Sequence, residues 1–145
     1  MSYWDTSALG KLYVQEPDSA AFEQKAANDP VIVTSDLARF EMHRIAFRKE
    51  AEGQIPAHTA EEILRALDGD IAAGEIRIIP IDQAVATAFS ATMASCYRRT
   101  PPVPLRTFDA IHLASARVAG ETEIVTTDKT LRTAASQLGF TVYPG

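Results

Sequence analysis

A single cysteine, Cys96, stands among 145 residues, which excludes an internal disulfide framework and a multi-thiolate zinc site. No apolar run approaches the ~20 residues needed to span a bilayer. Met1 to Gly10 lacks the basic-then-apolar layout of a signal peptide. Basic charge is scarce as well: 14 Lys and Arg against 19 Asp and Glu leave a net charge of -5. Broad electrostatic attraction for nucleic acid wants the opposite balance, so any contact with RNA or DNA must run through a local basic patch or through metal ions. There is no Gly-x-Gly-x-x-Gly for a dinucleotide. Gly10-Lys11 lacks the upstream glycine of a P-loop, and no Gly-x-Ser-x-Gly surrounds Ser7. The rest is ordinary globular composition, 46% hydrophobic and 23% charged with a mean hydropathy of -0.06. The expectation is one domain over residues 1–145, cytoplasmic, and long enough to bury a core without staples.

Two kinds of segment alternate along the chain. Short β-branched or apolar runs at Ser2–Trp4, Val31–Thr34, Ile76–Ile79, Ile124–Thr126 and Phe140–Tyr143 read as strands. Between them lie stretches with helical spacing, such as Ala60, Ile63, Leu64, Leu67 and Ile71, or Val85, Phe89, Met93 and Cys96. Gly74, Gly120 and Gly139 each close a helical stretch just ahead of a strand. Strands alternating with helices predict βαβ units, hence a parallel sheet with helices on both faces. The one irregular region, Arg98–Arg106, carries three prolines and three arginines and reads as a loop.

In such a sheet, ligands bind at the carboxyl edge of the strands, where the helix N-termini also lie. Asp5 follows the first strand at the turn into a helix over Ser7–Val14. Asp128 follows Glu123–Thr127 ahead of a helix over Thr130–Leu138, and Asp109 opens the helix Ala110–Ala119. Glu41 joins them by periodicity, four residues after Leu37 and four before Ile45, on an inward stripe that also takes Phe40. A carboxylate on a core-facing stripe costs several kcal/mol unless paired or metal-bound. Each acid also has a plainer role: Asp5 and Asp128 as helix caps, Asp109 as a partner of the helix dipole, Glu41 as a partner of Arg44 or Arg48. Taken together, however, four acids converge on one rim without four obvious counter-charges. At about 5 Å and an effective dielectric of ~20, each like-charged pair costs roughly 3 kcal/mol. A divalent cation relieves that cost, and oxygen-only ligation points to Mg²⁺ or Mn²⁺ rather than zinc.

The residues around these acids resemble those of PIN domains, and in particular the ribonuclease toxins of VapBC-type toxin–antitoxin pairs. The motifs are Tyr3-Trp4-Asp5-Thr6-Ser7-Ala8-Leu9 with Lys11, then Thr34-Ser35 leading to Glu41. Phe108-Asp109-Ala110-Ile111-His112-Leu113-Ala114 and Thr126-Thr127-Asp128 complete the set. The resemblance runs from the first strand to the last. It implies a three-layer α/β/α sandwich with a parallel central sheet of about five strands. It also implies that Asp5, Glu41, Asp109 and Asp128 form an acidic Mg²⁺ or Mn²⁺ site, with the Thr126 hydroxyl orienting water or a carboxylate. A metal-dependent endoribonuclease follows, acting as a toxin on RNA, held by a cognate antitoxin and expected as a homodimer, with no membrane partner. The chain departs from the family's pattern at Arg98–Arg106, where Thr100-Pro101-Pro102-Val103-Pro104 replaces a shorter basic, glycine-bearing connection.

Arg98, Arg99 and Arg106 are candidate phosphate contacts, and Cys96 a core residue. His43, His58 and His112 share no spacing with a nucleophile and are expected in surface or packing roles. Two rival readings stand beside the nuclease. One is a non-catalytic binding module of the same fold, which would usually have lost one of the acids. The other is a Mg²⁺-dependent receiver-type domain, which wants adjacent acids after the first strand, whereas Asp5 stands alone there.

Overall fold

The computed structural model describes residues 1–145. The chain opens with β1 (Ser2–Trp4), α1 (Thr6–Leu9) and a 3-10 turn over Gly10–Leu12, then α2 (Ser19–Asn28) and β2 (Ile32–Ser35). There follow α3 (Leu37–Ala51), α4 (Ala60–Ala72), β3 (Ile76–Ile79), α5 (Gln83–Tyr97) and α6 (Thr107–Ala119). The chain closes with β4 (Glu123–Val125), α7 (Lys129–Gln137) and β5 (Thr141–Tyr143). All five strands are parallel, in the order β3-β2-β1-β4-β5.

The strands read as continuous apolar runs because both faces of the sheet are covered. Successive side chains point to opposite faces. Tyr3, Val33, Ile79 and Ile124 accordingly join one core with residues of α5, α6 and α7. Trp4, Ile32, Ile76 and Val125 join a second core with residues of α1 to α4. Tyr3 and Trp4, adjacent in sequence and both fully buried, thus anchor opposite layers. This is the three-layer α/β/α sandwich expected from the alternation, and Cys96 is buried in the first core as expected. Gly120 ends α6 in the left-handed region at φ 76, where a side chain would be strained.

The strand order positions the site. From β1 the chain winds outward through β2 and β3, then returns to the other side of β1 as β4 and β5. The carboxyl ends of β1 and β4 therefore flank the point where the winding reverses, the usual crevice of such sheets.

Three local expectations are corrected. The helix foreseen over Ser7–Val14 is a single α turn that tightens into the 3-10 turn, because Tyr13 N and Val14 N both donate to Gly10 O. α6 begins three residues earlier than foreseen, at Thr107, so Asp109 lies inside its first turn. On α3 Leu37 is buried as expected, but the rest of the buried stripe is Ala38, Met42 and Ala46, and Phe40 is 66% exposed. The two alanines let α3 approach its neighbours closely, which rotates Phe40 outward and leaves Glu41 half-buried at the border of the stripe.

Candidate active site

The Asp5 backbone continues the sheet, its N–H donating to Val125 O at 3.1 Å, before the chain turns into α1. The side chain caps that turn, accepting from Ala8 N at 3.1 Å. It also accepts from Ser7 Oγ at 2.8 and 3.0 Å and from Thr126 Oγ1 at 2.8 Å. The hydroxyls in turn accept from β4's continuation: Ser7 Oγ from Thr127 N and Thr126 Oγ1 from Asp128 N, each at 3.1 Å. The two strand ends are thereby stitched together around one carboxylate. Burial pushes the Asp5 carboxyl above its ordinary pKa, outweighing the charge of His112 and the hydrogen bonds from Thr126, Ser7 and Ala8 N.

Asp128 caps α7 through Oδ1, which accepts from Leu131 N at 2.9 Å. Its Oδ2 accepts from Arg106 Nη2, also at 2.9 Å. The same guanidinium grips Asp109, with Nε 2.8 Å from Oδ2 and Nη2 3.3 Å from Oδ1. Glu41 Oε1 accepts from Thr6 Oγ1 at 2.6 Å and pairs with His112 Nε2 at 2.7 Å. Burial raises the Glu41 carboxyl, but the hydrogen bonds from His112 and Thr6 and the charge of Arg106 hold it below its ordinary pKa.

Asp5, Glu41, Asp109 and Asp128 all line one cavity of about 800 Å³, whose wall also carries Arg44, Arg48 and Arg106. Thr126 is fully buried behind Asp5 and reaches the cavity only through it. No three acidic, histidine or cysteine side chains close on one point tightly enough to hold a metal ion. Counter-charges are fewer than acids, as expected, but three acids have partners: Arg106 answers both Asp109 and Asp128, and His112 pairs with Glu41, while Asp5 has only hydroxyl and backbone donors. In kind, the donors suit a hard divalent cation, being all-oxygen and gathered from four separate segments. Asp109 and Asp128 already share a cation, the guanidinium of a side chain that is 65% exposed.

Of the loop arginines, only Arg106 reaches the site. Arg99 instead donates to Gln137 O at 2.6 Å, and Arg98 is exposed away from the cavity. His43 and His58 are exposed, but His112 is 4% exposed and in contact with Glu41, which its sequence spacing did not show. Thr6 and Ser7 were visible as part of the first motif, though not as donors to Glu41 and Asp5.

Residues 2–136 match the model of the PIN domain family. The chain is 32% identical over 152 positions to Ribonuclease VapC47 of Mycobacterium tuberculosis (strain CDC 1551 / Oshkosh), covering 100% of this chain and 98% of that protein. It is 32% identical over 142 positions to Ribonuclease VapC46 of M. tuberculosis (strain ATCC 25618 / H37Rv), covering 97% and 94%. Among solved structures it resembles M. tuberculosis VapC20, described as a sarcin-ricin loop cleaving toxin, with a TM-score of 0.69 at 18% identity, covering 97% and 96%. It also resembles DNA-bound VapBC from Salmonella typhimurium, with a TM-score of 0.68 at 17% identity, covering 98% and 96%. At those identities the structural likeness shows the fold.

Proposed function

This chain belongs to the PIN domain family, and on that premise we propose that it is a metal-dependent endoribonuclease acting as the toxin of a toxin–antitoxin pair. One observation carries the reading: four carboxylates from four separated segments line a single cavity at the carboxyl edge of the sheet, beside three arginines. The ribonuclease relatives at 32% identity along nearly the whole chain supply the reaction class, and the toxin–antitoxin complexes of like fold supply the partner. Residues 1–145 act in this reading as one catalytic domain.

Asp5, Glu41, Asp109 and Asp128 would hold Mg²⁺, or Mn²⁺ in its place. Bound there, the cation supplies Lewis acidity toward water and the scissile phosphate and offsets the charge of the polyanion. The protein's own groups do the positioning. Ser7, Thr126 and Ala8 N fix the Asp5 carboxylate, and Thr126 links it to the backbone that presents Asp128. Arg44 and Arg48 offer exposed guanidinium groups to substrate phosphates from the α3 wall. Arg106 loads the same role once it releases Asp109 and Asp128. Three guanidinium groups thereby stand beside the four carboxylates at the place where RNA would sit.

The test is cleavage of total cellular RNA by the purified, antitoxin-free protein in Mg²⁺, Mn²⁺ or EDTA, beside Asp5→Asn, with the ends mapped. Metal-dependent cuts absent from the variant are expected, and their positions name the substrate. Silence in every lane from folded, metal-binding protein would instead favour a binding module of the same fold.

A further inference from the structure

His112 lies in the second turn of α6, 4% exposed, against the inner wall of the cavity. Both ring nitrogens are engaged. Tyr3 Oη is 2.6 Å from Nδ1, and Glu41 Oε1 is 2.7 Å from Nε2. The Tyr3 phenol is fully buried in β1 and meets Nδ1. A carboxylate oxygen accepts, so Nε2 carries the hydrogen that faces Glu41. Thr6 Oγ1 donates to the same Oε1 at 2.6 Å. Two donors from two different helices thus converge on one oxygen of Glu41, while Oε2 takes no hydrogen bond from the protein. The chain Tyr3–His112–Glu41 joins the central strand β1 to α6 and α3, elements that otherwise meet only through packing.

That arrangement is more than a buried histidine finding partners. A half-exposed glutamate on a helix samples several rotamers, and ordering it costs rotamer entropy. The chain fixes one oxygen and leaves the other for the cavity, the way an outer hydrogen bond orients a metal-binding carboxylate. We infer that His112, itself set by Tyr3, is a positioning residue that presents Glu41 Oε2 to the catalytic cation. The inference rests on the reading of Glu41 as a metal-holding residue, and its test separates the two.

The test is a double-mutant cycle read by Mn²⁺ binding calorimetry on the RNA-free protein, with denaturant unfolding and cleavage kinetics alongside. Glu41→Gln and His112→Phe are each expected to weaken Mn²⁺ binding about 10–100-fold. Tyr3→Phe, which removes one oxygen atom and keeps the ring, is expected to weaken it about fivefold. The double variant Glu41→Gln/His112→Phe should bind Mn²⁺ no more weakly than Glu41→Gln alone, because His112 acts only through Glu41. In cleavage, His112→Phe should lower kcat with little change in KM. A histidine that merely packs would lower stability without this coupling. The inference is overturned if His112→Phe binds Mn²⁺ within twofold of wild type while Glu41→Gln does not, or if its loss persists undiminished in the Glu41→Gln background. Unchanged Mn²⁺ affinity in Glu41→Gln overturns the metal-site reading and the inference with it. Should His112→Phe not fold, Tyr3→Phe carries the same comparison against Glu41→Gln.

Discussion

Arg106→Ala is expected to tighten Mn²⁺ binding and, in the same variant, to lower the stability of the metal-free protein. The two effects draw on one interaction, since the guanidinium that steadies Asp109 and Asp128 is also the cation that a metal in the proposed site would displace. The Arg106 side chain is 65% exposed, so solvent screening holds each of its ion pairs to about 0.2–1 kcal/mol. Two carboxylates together give roughly 0.4–2 kcal/mol, which is a tightening of about 2–30-fold in Mn²⁺ affinity. The same energy, lost from the metal-free fold, lowers Tm by about 1–8 °C for a chain of this size. Calorimetric titration of Mn²⁺ at low and high ionic strength reads the first effect, and the gain should shrink with salt as the pairs are screened. Thermal unfolding in EDTA reads the second. Arg99→Ala is the control, because that guanidinium serves Gln137 in the same loop region and should leave Mn²⁺ affinity alone. Equal or weaker Mn²⁺ affinity in folded Arg106→Ala would refute the idea that this arginine stands in the cation's place.

Three further outcomes follow from the same geometry. Asp5→Asn keeps the oxygen that caps Ala8 N and removes the charge that burial disfavours. Cleavage should vanish while the metal-free protein unfolds at the same or a higher urea concentration, and cleavage that persists in this cap-preserving variant would mean that the cap is the residue's whole role. Because the folded Asp5 pKa lies above its unfolded value, the variant's advantage over wild type should appear as pH rises through the folded value. Millimolar Mn²⁺ or Mg²⁺ should raise the wild-type Tm; at a hundredfold excess over Kd the gain is about 2.7 kcal/mol, or about 5–10 °C. No shift at saturating metal would count against the site. Finally, Glu16 and Glu123 sit below their ordinary value of 4.5 although burial pushes both up, because Lys11 and Lys49 answer the first and Lys25 and Ser2 the second. Their stabilisation is complete above that value and lost as pH falls through the lowered ones. Urea midpoints from neutral to acid pH should therefore decline, and less steeply in Lys25→Met; identical slopes would contradict this reading.

The layered fold was legible because its signal is local. Tyr3 beside Trp4 and Ile32 beside Val33 are apolar neighbours whose side chains part to opposite faces, so an unbroken apolar run is itself the mark of a strand covered twice. The helix face of α3 was harder to read, because its buried stripe is built from Ala38 and Ala46 around Met42. Ranking by hydrophobicity favours Phe40, while close packing favours the small residues. The polar partners were hidden for a different reason. His112 is 71 residues from Glu41 and 109 from Tyr3, and nothing in the helical spacing of α6 reports what crosses to it from β1 and α3. Arg106 was visible as a charge near Asp109, but its reach to Asp128, 22 residues away, exists only once β4 lies beside β1.

Capping and site formation, which compete as explanations of Asp5 and Asp128 in the sequence, turn out to use different parts of each carboxylate. Asp128 caps α7 with Oδ1 and offers Oδ2 to Arg106. Asp5 caps with Oδ1, its Oδ2 accepts from Thr126, and Ser7 Oγ lies within reach of both oxygens. A cap is satisfied by one oxygen, and Ser, Thr or Asn serve as well as Asp. The second oxygen and the full negative charge add little to a cap, and at Asp5 burial makes that charge costly. What makes use of them is a cation, supplied at Asp128 by Arg106 and, in the proposed reaction, by a divalent metal shared with Glu41 and Asp109. The cap then has a second consequence, because it fixes the carboxylate's rotamer at the rim before any ligand arrives. Helix initiation and preorganisation of the site are accordingly one event, and the same short turns after β1 and β4 accomplish both.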